Sequence, residues 1–309
     1  MSRYAREISV AGAFALLLAV LAVFAPGFYQ PQPLLSLATR EAPTLLVACG
    51  MALVIISRQI DISVGSQFSV CGVCVGLLAG MQWPVIALLP AAVGLGALLG
   101  AVNGLLIAGL GLPSIVVTLA MMVTLRQGLN LVRQGKFVDL PEGFQWFGLP
   151  QATGQWLLVL GALAVVLGFA VALRYLAAGR FVYAIGSDAE AARLAGIRPR
   201  LGTFWVLVGL GALTGLAALM NVVQSPQVQP LAGSGLELKV IAAVVVGGVA
   251  ISGGRGNLGG VLAGVLLLAT ISPALTHLRV EAYWEKAIQG AIVLLAVLAE
   301  SARRRWAPR

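Results

Sequence analysis

Residues 156–176 decide the fold, and they read WLLVLGALAVVLGFAVALRYL. No charged residue precedes Arg174 in this run. The hydrocarbon core of a lipid bilayer needs roughly 20 apolar residues in each helix that crosses it. The run is therefore typical of a transmembrane helix, and it has no polar face that could be exposed to water.

The whole chain has the same character. Of its 309 residues, 60% are hydrophobic and only 10% are charged, and the mean hydropathy is +0.98. Soluble proteins carry about 25% charged residues because a hydrated surface requires them. The composition excludes a soluble enzyme, a nucleic-acid-binding protein and a disordered chain. The net charge of +9 agrees with a membrane protein, in which Lys and Arg collect at cytoplasmic edges.

Apolar runs separated by charged residues or by Gly and Pro predict about ten transmembrane helices. The expected fold is an all-α membrane protein with a single transmembrane domain over residues 1–309. The predicted runs are 8–25, 42–57, 64–81, 84–101, 113–131, 156–176, 202–223, 239–252, 258–276 and 284–300.

An even number of spans places both termini on the same side of the membrane. The cytoplasm is the expected side, because most of the basic residues then lie in cytoplasmic loops. This topology gives a cytoplasmic loop at about 177–201 and an outer loop at about 132–155. Arg3 and Arg6 precede the first run, which also resembles a signal peptide, but the many runs that follow favour an uncleaved span.

Glycines recur at a spacing of four residues in several predicted helices. Such spacing lets two helix backbones approach closely, so it indicates either a packed bundle or an interface between chains. The stripes are Gly96, Gly100 and Gly104; Gly211 and Gly215; and Gly256, Gly260 and Gly264.

Three features that could indicate catalysis or cofactor binding have simpler interpretations. Cys71 and Cys74 lie in an apolar run without polar ligands, and we interpret them as packing residues. His277 has no metal-ligating neighbours in the sequence. Residues 254–259 match a dinucleotide fingerprint but connect two predicted membrane helices, so we expect a tight turn. The chain is expected to hold no metal and no nucleotide, and ATP-driven transport would need a separate ATPase subunit.

The most informative polar stretch is residues 187–196. Ser187 and Glu190 have the spacing of a capping box, in which each side chain bonds to the backbone of the other. Asp188 suits the positive end of a helix dipole, Arg193 suits the negative end, and Gly196 suits the position after the helix. We predict a helix of about two turns that faces a soluble partner. An ordinary amphipathic loop helix is the alternative.

Residues 58–66 form a second unusual stretch, with Arg58 and Asp61 between two apolar runs. A charged pair at this position is costly unless it is paired or lies at a membrane interface. The simpler interpretation is a cytoplasmic turn in which Asp61 or Ser63 caps the next helix. A mechanical role at the membrane boundary is the alternative.

Residues 60–66 resemble the Asp-Leu-Ser-Val-Gly signature of bacterial ABC-type monosaccharide permeases, which include the ribose, arabinose, xylose, rhamnose and autoinducer-2 permeases. Arg58 and Gln59 depart from the pattern, because many sugar permeases carry Gly-Gly there. The autoinducer-2 and rhamnose branches are more similar at that point. Further matches follow in the order of the family at residues 103–104, 113–119, 179–186, 191–197, 241–248 and 252–256.

The resemblance implies a type II importer bundle with the fold of the vitamin B12 permease class. Two such chains, identical or related, would form a pathway in the bacterial inner membrane and work by alternating access. Two cytoplasmic ATPase subunits would bind ATP and Mg²⁺, and a periplasmic sugar-binding protein would dock on the other side. No cofactor is implied in this chain.

The resemblance also implies roles for two sets of residues. A coupling helix that docks in a cleft of the ATPase would comprise Gly186, Ser187, Asp188, Glu190, Ala191, Arg193, Leu194, Gly196 and Ile197. The signature itself places a motif at the membrane boundary that comprises Arg58, Asp61, Ser63 and Gly65.

Four amide side chains are candidates for lining the pathway, because amides bind sugar hydroxyls without carrying a charge. Hydrogen bonds between helices are the alternative for each of them, and the alternative we favour. The outer loop carries charged residues among aromatic ones and would suit docking of a soluble partner. The amides are Asn103, Asn130, Asn221 and Gln224; the loop charges are Arg133, Lys136, Asp139 and Glu142.

The competing function is a self-contained secondary transporter or channel for a small polar solute. Such a protein needs a coupling-ion or proton site, which requires Asp, Glu or Lys near the middle of the membrane. Asp61, Glu237 and Glu285 instead fall at the edges of predicted spans, which disfavours this alternative. A membrane enzyme is more distant still, since no catalytic constellation is evident.

Overall fold

A computed structural model describes residues 26–277 without interruption, together with some of the residues between 12 and 22 and between 281 and 298. The predicted spans 8–25 and 284–300 therefore lie only partly within the described residues. The side chains of His277 and Glu285 also lie outside them.

The described chain is almost entirely helical. Short 3₁₀ turns occur at Pro26–Tyr29 and Gln145–Gly148, and a π-helical turn, Leu105–Gly109, extends the third helix. Two short antiparallel strands, β1 and β2, are Val138–Asp139 and Gln227–Val228. The helices are α1 Pro31–Ile56, α2 Val64–Gly80, α3 Val85–Gly104, α4 Ser114–Arg133, α5 Gln151–Tyr175, α6 Ala177–Ser187, α7 Ala189–Leu194, α8 Pro199–Val222, α9 Leu236–Val246 and α10 Leu258–His277.

The fold is that of an all-α, multi-pass membrane protein. Six of the described helices are long and apolar enough to cross a bilayer: α1, α3 with its π turn, α4, α5, α8 and α10. α2 is apolar but shorter. The full count of ten spans stays a prediction.

Two predicted runs differ in length from the helices that form. The run at 42–57 belongs to α1, which begins at Pro31 because proline suits the first turn of a helix. The run at 239–252 overlaps α9, which begins earlier, at Leu236, and ends at Val246. Glycines follow at once, and Gly248 has a φ of +94°, a conformation that ends a helix readily.

α1 is the central helix of the bundle. Every residue from Glu41 to Ser57 is buried, and α1 packs against α5, α8, α9 and α10. The outer faces of α3, α4 and α5 are exposed and apolar. In a chain that crosses a membrane, lipid or another membrane protein covers such faces.

The glycine stripes mark crossings within this bundle. A Cβ on Gly96 would overlap the carbonyl oxygen of Gly211, and a Cβ on Gly100 would overlap that of Leu207. α3 and α8 therefore touch backbone to backbone, as the spacing predicted for a packed bundle. Gly260 makes the same contact with Gly247 between α10 and α9.

The structure also bears on the predictions for Gly256, for the two cysteines and for metal binding. Gly256 does not belong to its predicted stripe, because it lies in the turn before α10 with a φ of +147°. Cys71 is buried and Cys74 half-buried on α2, both as free thiols. In the part of the chain that the structure describes, no three His, Cys, Asp or Glu side chains form a metal-binding group.

Candidate functional site

Residues 186–197, which we call the coupling segment after the role that the resemblance leads us to expect, lie mostly at the surface of the bundle. Its short helix α7 follows α6 after a single residue, Asp188. Residues 187–196 are exposed except for Ala192, and Leu194 is 79% exposed. A rigid element with an apolar residue at its surface is therefore available for contact with another protein.

Asp188, and not Ser187, caps α7. The Asp188 carboxylate accepts hydrogen bonds from the backbone N–H groups of Glu190 at 2.9 Å and Ala191 at 3.0 Å, and these bonds lower its pKa. The predicted capping box is wrong, because Ser187 is the last residue of α6. Glu190 also points elsewhere, since its carboxylate pairs with Arg193 at 2.6 Å.

The other end of α7 is closed as predicted. Gly196 has a φ of +84° and donates its N–H to the carbonyl of Arg193 at 3.0 Å. Ile197 donates to Ala192 at 3.0 Å, which completes a Schellman motif. The helix has six residues and is about 9 Å long, somewhat shorter than the predicted two turns.

The coupling segment rests directly on the end of α1. A Cβ on Gly186 would overlap the carbonyl oxygen of Ile56, so only glycine fits at this contact. The same oxygen accepts the N–H of Gly254 at 2.8 Å. The end of α1, the coupling segment and the turn between α9 and α10 therefore meet at one carbonyl group.

Arg58 lies at the same junction. Its φ of +64° is left-handed, which costs a non-glycine residue roughly 1–2 kcal/mol. Its guanidinium donates to the carbonyl oxygens of Ser187 at 2.6 Å and Ser252 at 2.8 Å. Such strain persists where the surroundings fix the conformation, and these two bonds are part of those surroundings.

The turn between α9 and α10 is the tight turn predicted for the sequence that matches a dinucleotide fingerprint. Gly253 and Gly254 both have positive φ values, +83° and +71°. Tyr183 of α6 donates its hydroxyl to the carbonyl of Gly256 at 2.8 Å. The turn is thus joined to α6 as well as to α1.

Asp61 is the centre of a buried polar cluster. Its carboxylate is fully buried and accepts the N–H of Ser63 at 2.8 Å and the amide of Asn103 at 3.0 Å. Gln67 donates to it at 3.3 Å. The cluster ties the loop between α1 and α2 to α3.

Ser63 and Gly65 have structural tasks in the same motif. Ser63 stands at the N-cap position of α2, but its hydroxyl donates to Asp61 instead of capping the helix. A Cβ on Gly65 would overlap Glu237 Oε2 and the carbonyl oxygen of Gly233. The motif therefore holds α2 against both α3 and the start of α9.

Comparison with known proteins shows the family of the chain. Residues 33–297 match a family described as “Branched-chain amino acid transport system / permease component”. The chain belongs to this permease family. No solved structure matches the permease.

The curated relatives of the permease include sugar importers. It is 31% identical over 301 residues to the ribose import permease protein RbsC of Escherichia coli K12, with 94% of this chain and 92% of the relative covered. It is 37% identical over 308 residues to the autoinducer 2 import system permease protein LsrC of Enterobacter sp. 638, covering 98% and 88%. The probable ABC transporter permease protein y4mJ of Sinorhizobium fredii is 31% identical, covering 96% and 90%.

The four amides proposed to line the pathway occupy different environments in the permease. Asn103 is fully buried and bonds to Asp61 and Ser63, so its bonds join α3 to the loop before α2 and not to another helix. Gln224, two residues after the end of α8, donates to the carbonyl of Thr39 in α1 at 3.3 Å. Asn130 and Asn221 are half-buried, and a role in the pathway stays a prediction for them.

Two buried ion pairs inside the permease were not predicted. Lys239 of α9 binds Glu41 of α1 at 2.7 Å, and Arg126 of α4 binds Glu237 of α9 at 3.3 Å. The glutamate side chains are only 7% and 8% exposed. Single charges within apolar runs are only a weak signal of such pairs, because the partners are more than a hundred residues apart in the sequence.

These pairs change what the positions of the acidic residues imply. Glu237 lies at the start of α9, at the edge of the predicted run as expected, but its side chain is buried. Asp61 lies between two spans, as expected, but no part of it is exposed. Buried charge therefore no longer distinguishes an importer subunit from a secondary transporter, and that distinction depends on the family and on the coupling segment.

Proposed function

We propose that the chain is the membrane-spanning subunit of an ATP-driven importer. Its cargo is a monosaccharide or sugar-like molecule, such as rhamnose, a ribose-type pentose or autoinducer-2, which crosses the bacterial inner membrane by alternating access. The observation that carries the proposal is the exposed, doubly capped helix α7, which rests through Gly186 on the central helix of the bundle. The printed names of the relatives, ribose import and autoinducer 2 import, support a sugar-like cargo.

The partner at the coupling segment is a cytoplasmic ATPase subunit that binds ATP and Mg²⁺. α7 presents the Glu190–Arg193 ion pair beside the exposed Leu194. An apolar residue flanked by charged groups is suited to a cleft with an apolar floor and a polar rim. This assignment places the coupling segment and both termini in the cytoplasm.

The arrangement of contacts suggests how movement spreads. α7 cannot shift far from the bundle without displacing Gly186, and Gly186 touches the backbone of Ile56. Ile56 ends the buried helix α1, which packs against four other helices. A displacement imposed by the ATPase is therefore transmitted to the centre of the bundle, and the bundle alternates between inward and outward openings.

The opposite end of the molecule is the docking face for a periplasmic binding protein. There β1 and β2 pair through Val138 and Val228 and pack on Gly72 and Gly76 of α2. This small two-stranded sheet holds the outer loop against the bundle. A second permease chain, identical or related, completes the pathway.

The test is purification of the chain in detergent after coexpression with the neighbouring gene products. We expect an ATPase subunit to copurify, and its ATP hydrolysis in lipid vesicles to rise with a sugar-loaded binding protein. A series of sugars that includes rhamnose, ribose and autoinducer-2 then identifies the cargo. Solute uptake by the isolated chain, driven by an ion gradient alone, would establish the secondary transporter instead.

A further inference from the structure

Two segments that are far apart in the sequence meet at the guanidinium of Arg58. Its Nη2 donates to the carbonyl oxygen of Ser187, and its Nε donates to that of Ser252. Ser187 ends α6 and directly precedes the cap of α7. Ser252 lies in the turn between α9 and α10. A single side chain therefore joins the coupling segment to that turn.

The two bonds join the carbonyl groups of Ser187 and Ser252 and also fix the distance between them. A guanidinium is planar, and its N–H groups point in fixed directions. Two carbonyl oxygens bound to it are held at a set separation, and bonds to a charged donor are stronger than neutral ones. The carbonyl of Ser187 is also at the negative end of α6, which favours a cation there.

The surroundings of Arg58 are shaped to the side chain. A Cβ on Gly253 would overlap Arg58 Cγ, so the absence of a side chain at residue 253 leaves room for the arginine. Arg58 keeps its left-handed backbone although glycine would adopt it more easily. Both features are expected where the position of the guanidinium matters.

We propose that Arg58 is a positioning residue that transmits displacement of the coupling segment to the turn between α9 and α10. This rests on the proposed function, since the ATPase supplies the displacement. As α7 moves, the bonds to Ser187 and Ser252 make the turn move with it, and α9 and α10 reorient from that turn. Without the guanidinium, α7 still docks through its own exposed residues but passes on less of the movement.

The test uses Arg58→Gly in the complete assembly of permease, ATPase and binding protein in lipid vesicles. Glycine adopts the left-handed conformation without strain, so the variant loses both bonds and gains no backbone cost. We expect the ATPase to copurify as before. The ratio of hydrolysis stimulated by the loaded binding protein to unstimulated hydrolysis should fall at least about tenfold, because the loss of even one hydrogen bond to a charged group has an effect of this size.

Two further variants make the result specific. Arg180→Gln removes an exposed guanidinium of α6 whose bond, at 3.4 Å, reaches only Tyr175 nearby, and it should leave the ratio unchanged. Arg58→Lys keeps the charge without the planar guanidinium and should give an intermediate ratio. Arg58→Lys also decides the question if Arg58→Gly does not fold.

Each outcome has a defined meaning. A normal stimulation ratio in folded Arg58→Gly would refute the role of Arg58 and leave the proposed function intact. Loss of the ATPase from the Arg58→Gly complex would also refute it, because Arg58 would then act in docking. If the unchanged chain binds no ATPase, the proposed function fails and the role of Arg58 fails with it.

Discussion

Gly65 of α2 lies directly against the carboxylate of Glu237 at the start of α9. A Cβ at residue 65 would overlap Glu237 Oε2 and the carbonyl oxygen of Gly233. Neither atom is free to move, because Glu237 is paired with Arg126 and Gly233 donates its N–H to Ser69 at 3.0 Å. The glycine of the permease signature is thus required by its contact with a buried ion pair.

Gly65→Ala should therefore destabilise the permease by about 1–3 kcal/mol, the usual cost of overpacking. Thermal unfolding of the purified protein in detergent measures the effect. Gly72→Ala on the same helix is the matched control, since its Cβ would meet only Val222 at 3.6 Å and Val228 at 3.7 Å. Equal unfolding temperatures for the two variants would contradict this account.

Gly196→Val should weaken binding of the ATPase without impairing membrane insertion. The φ of +84° is strained for a β-branched residue, while no atom lies within 4 Å of the added Cβ. The valine variant therefore acts only through backbone strain, and this strain should unwind the C-terminal end of α7. Gly196→Asn is the control, because asparagine tolerates this conformation. Normal copurification of the valine variant with its ATPase would remove α7 as the coupling helix.

The cap at Asp188 should make the stability of α7 depend on pH. Backbone N–H groups of Ala191 and Glu190 hold the pKa of Asp188 below its ordinary value. A lowered folded-state pKa means that the carboxylate stabilises the helix at neutral pH. This contribution is lost as the pH falls through and below about 4, the value for an unfolded Asp.

Hydrogen exchange at the amide of Ala191 measures this cap. We expect the protection factor to fall at acidic pH in the unchanged permease and to be low at every pH in Asp188→Ala. Asp188→Asn keeps an oxygen acceptor that does not titrate, so it should retain protection without the pH dependence. Unaltered protection in the alanine variant would show that the cap does not stabilise α7.

Lys239→Met should destabilise the fold by about 3 kcal/mol, because it leaves Glu41 buried without its main partner. Arg40, 3.6 Å from Glu41, compensates only in part, since its side chain is largely exposed. Adding Glu41→Gln should recover most of the loss. Lys136→Met, at an exposed position, is the control and should change stability little. A double variant no more stable than Lys239→Met would show that the pair itself is not the cause.

Much of the site could be predicted from residues that lie close together in the sequence. The composition of residues 187–196 indicated a short capped helix, and Gly196 closes it as expected. The cap itself was assigned to the wrong residue, because Ser187 satisfies the same pattern as Asp188. Which of the two residues caps α7 depends on where α6 ends. α6 ends at Ser187, next to the contact between Gly186 and the backbone of Ile56.

Contacts between distant segments carried no such signal. Arg58 was recognised as unusual, but nothing in the sequence indicates that its guanidinium reaches Ser187 and Ser252. The ion pair of Glu41 and Lys239 joins residues 198 positions apart. Pairings of this kind depend on how the helices cross, and a single sequence does not specify those crossings.

The sequence by itself determined that the chain is an apolar helical membrane protein with glycine-lined crossings and one exposed polar helix. It could do so because hydropathy, glycine spacing and helix caps are set by residues within a few turns of one another. The tertiary structure alone decided that α1 is the buried axis and that Gly186, Gly254 and Arg58 converge at its end. It also decided that Glu41 and Glu237 are paired with Lys239 and Arg126, because close packing brings together groups that the chain keeps far apart.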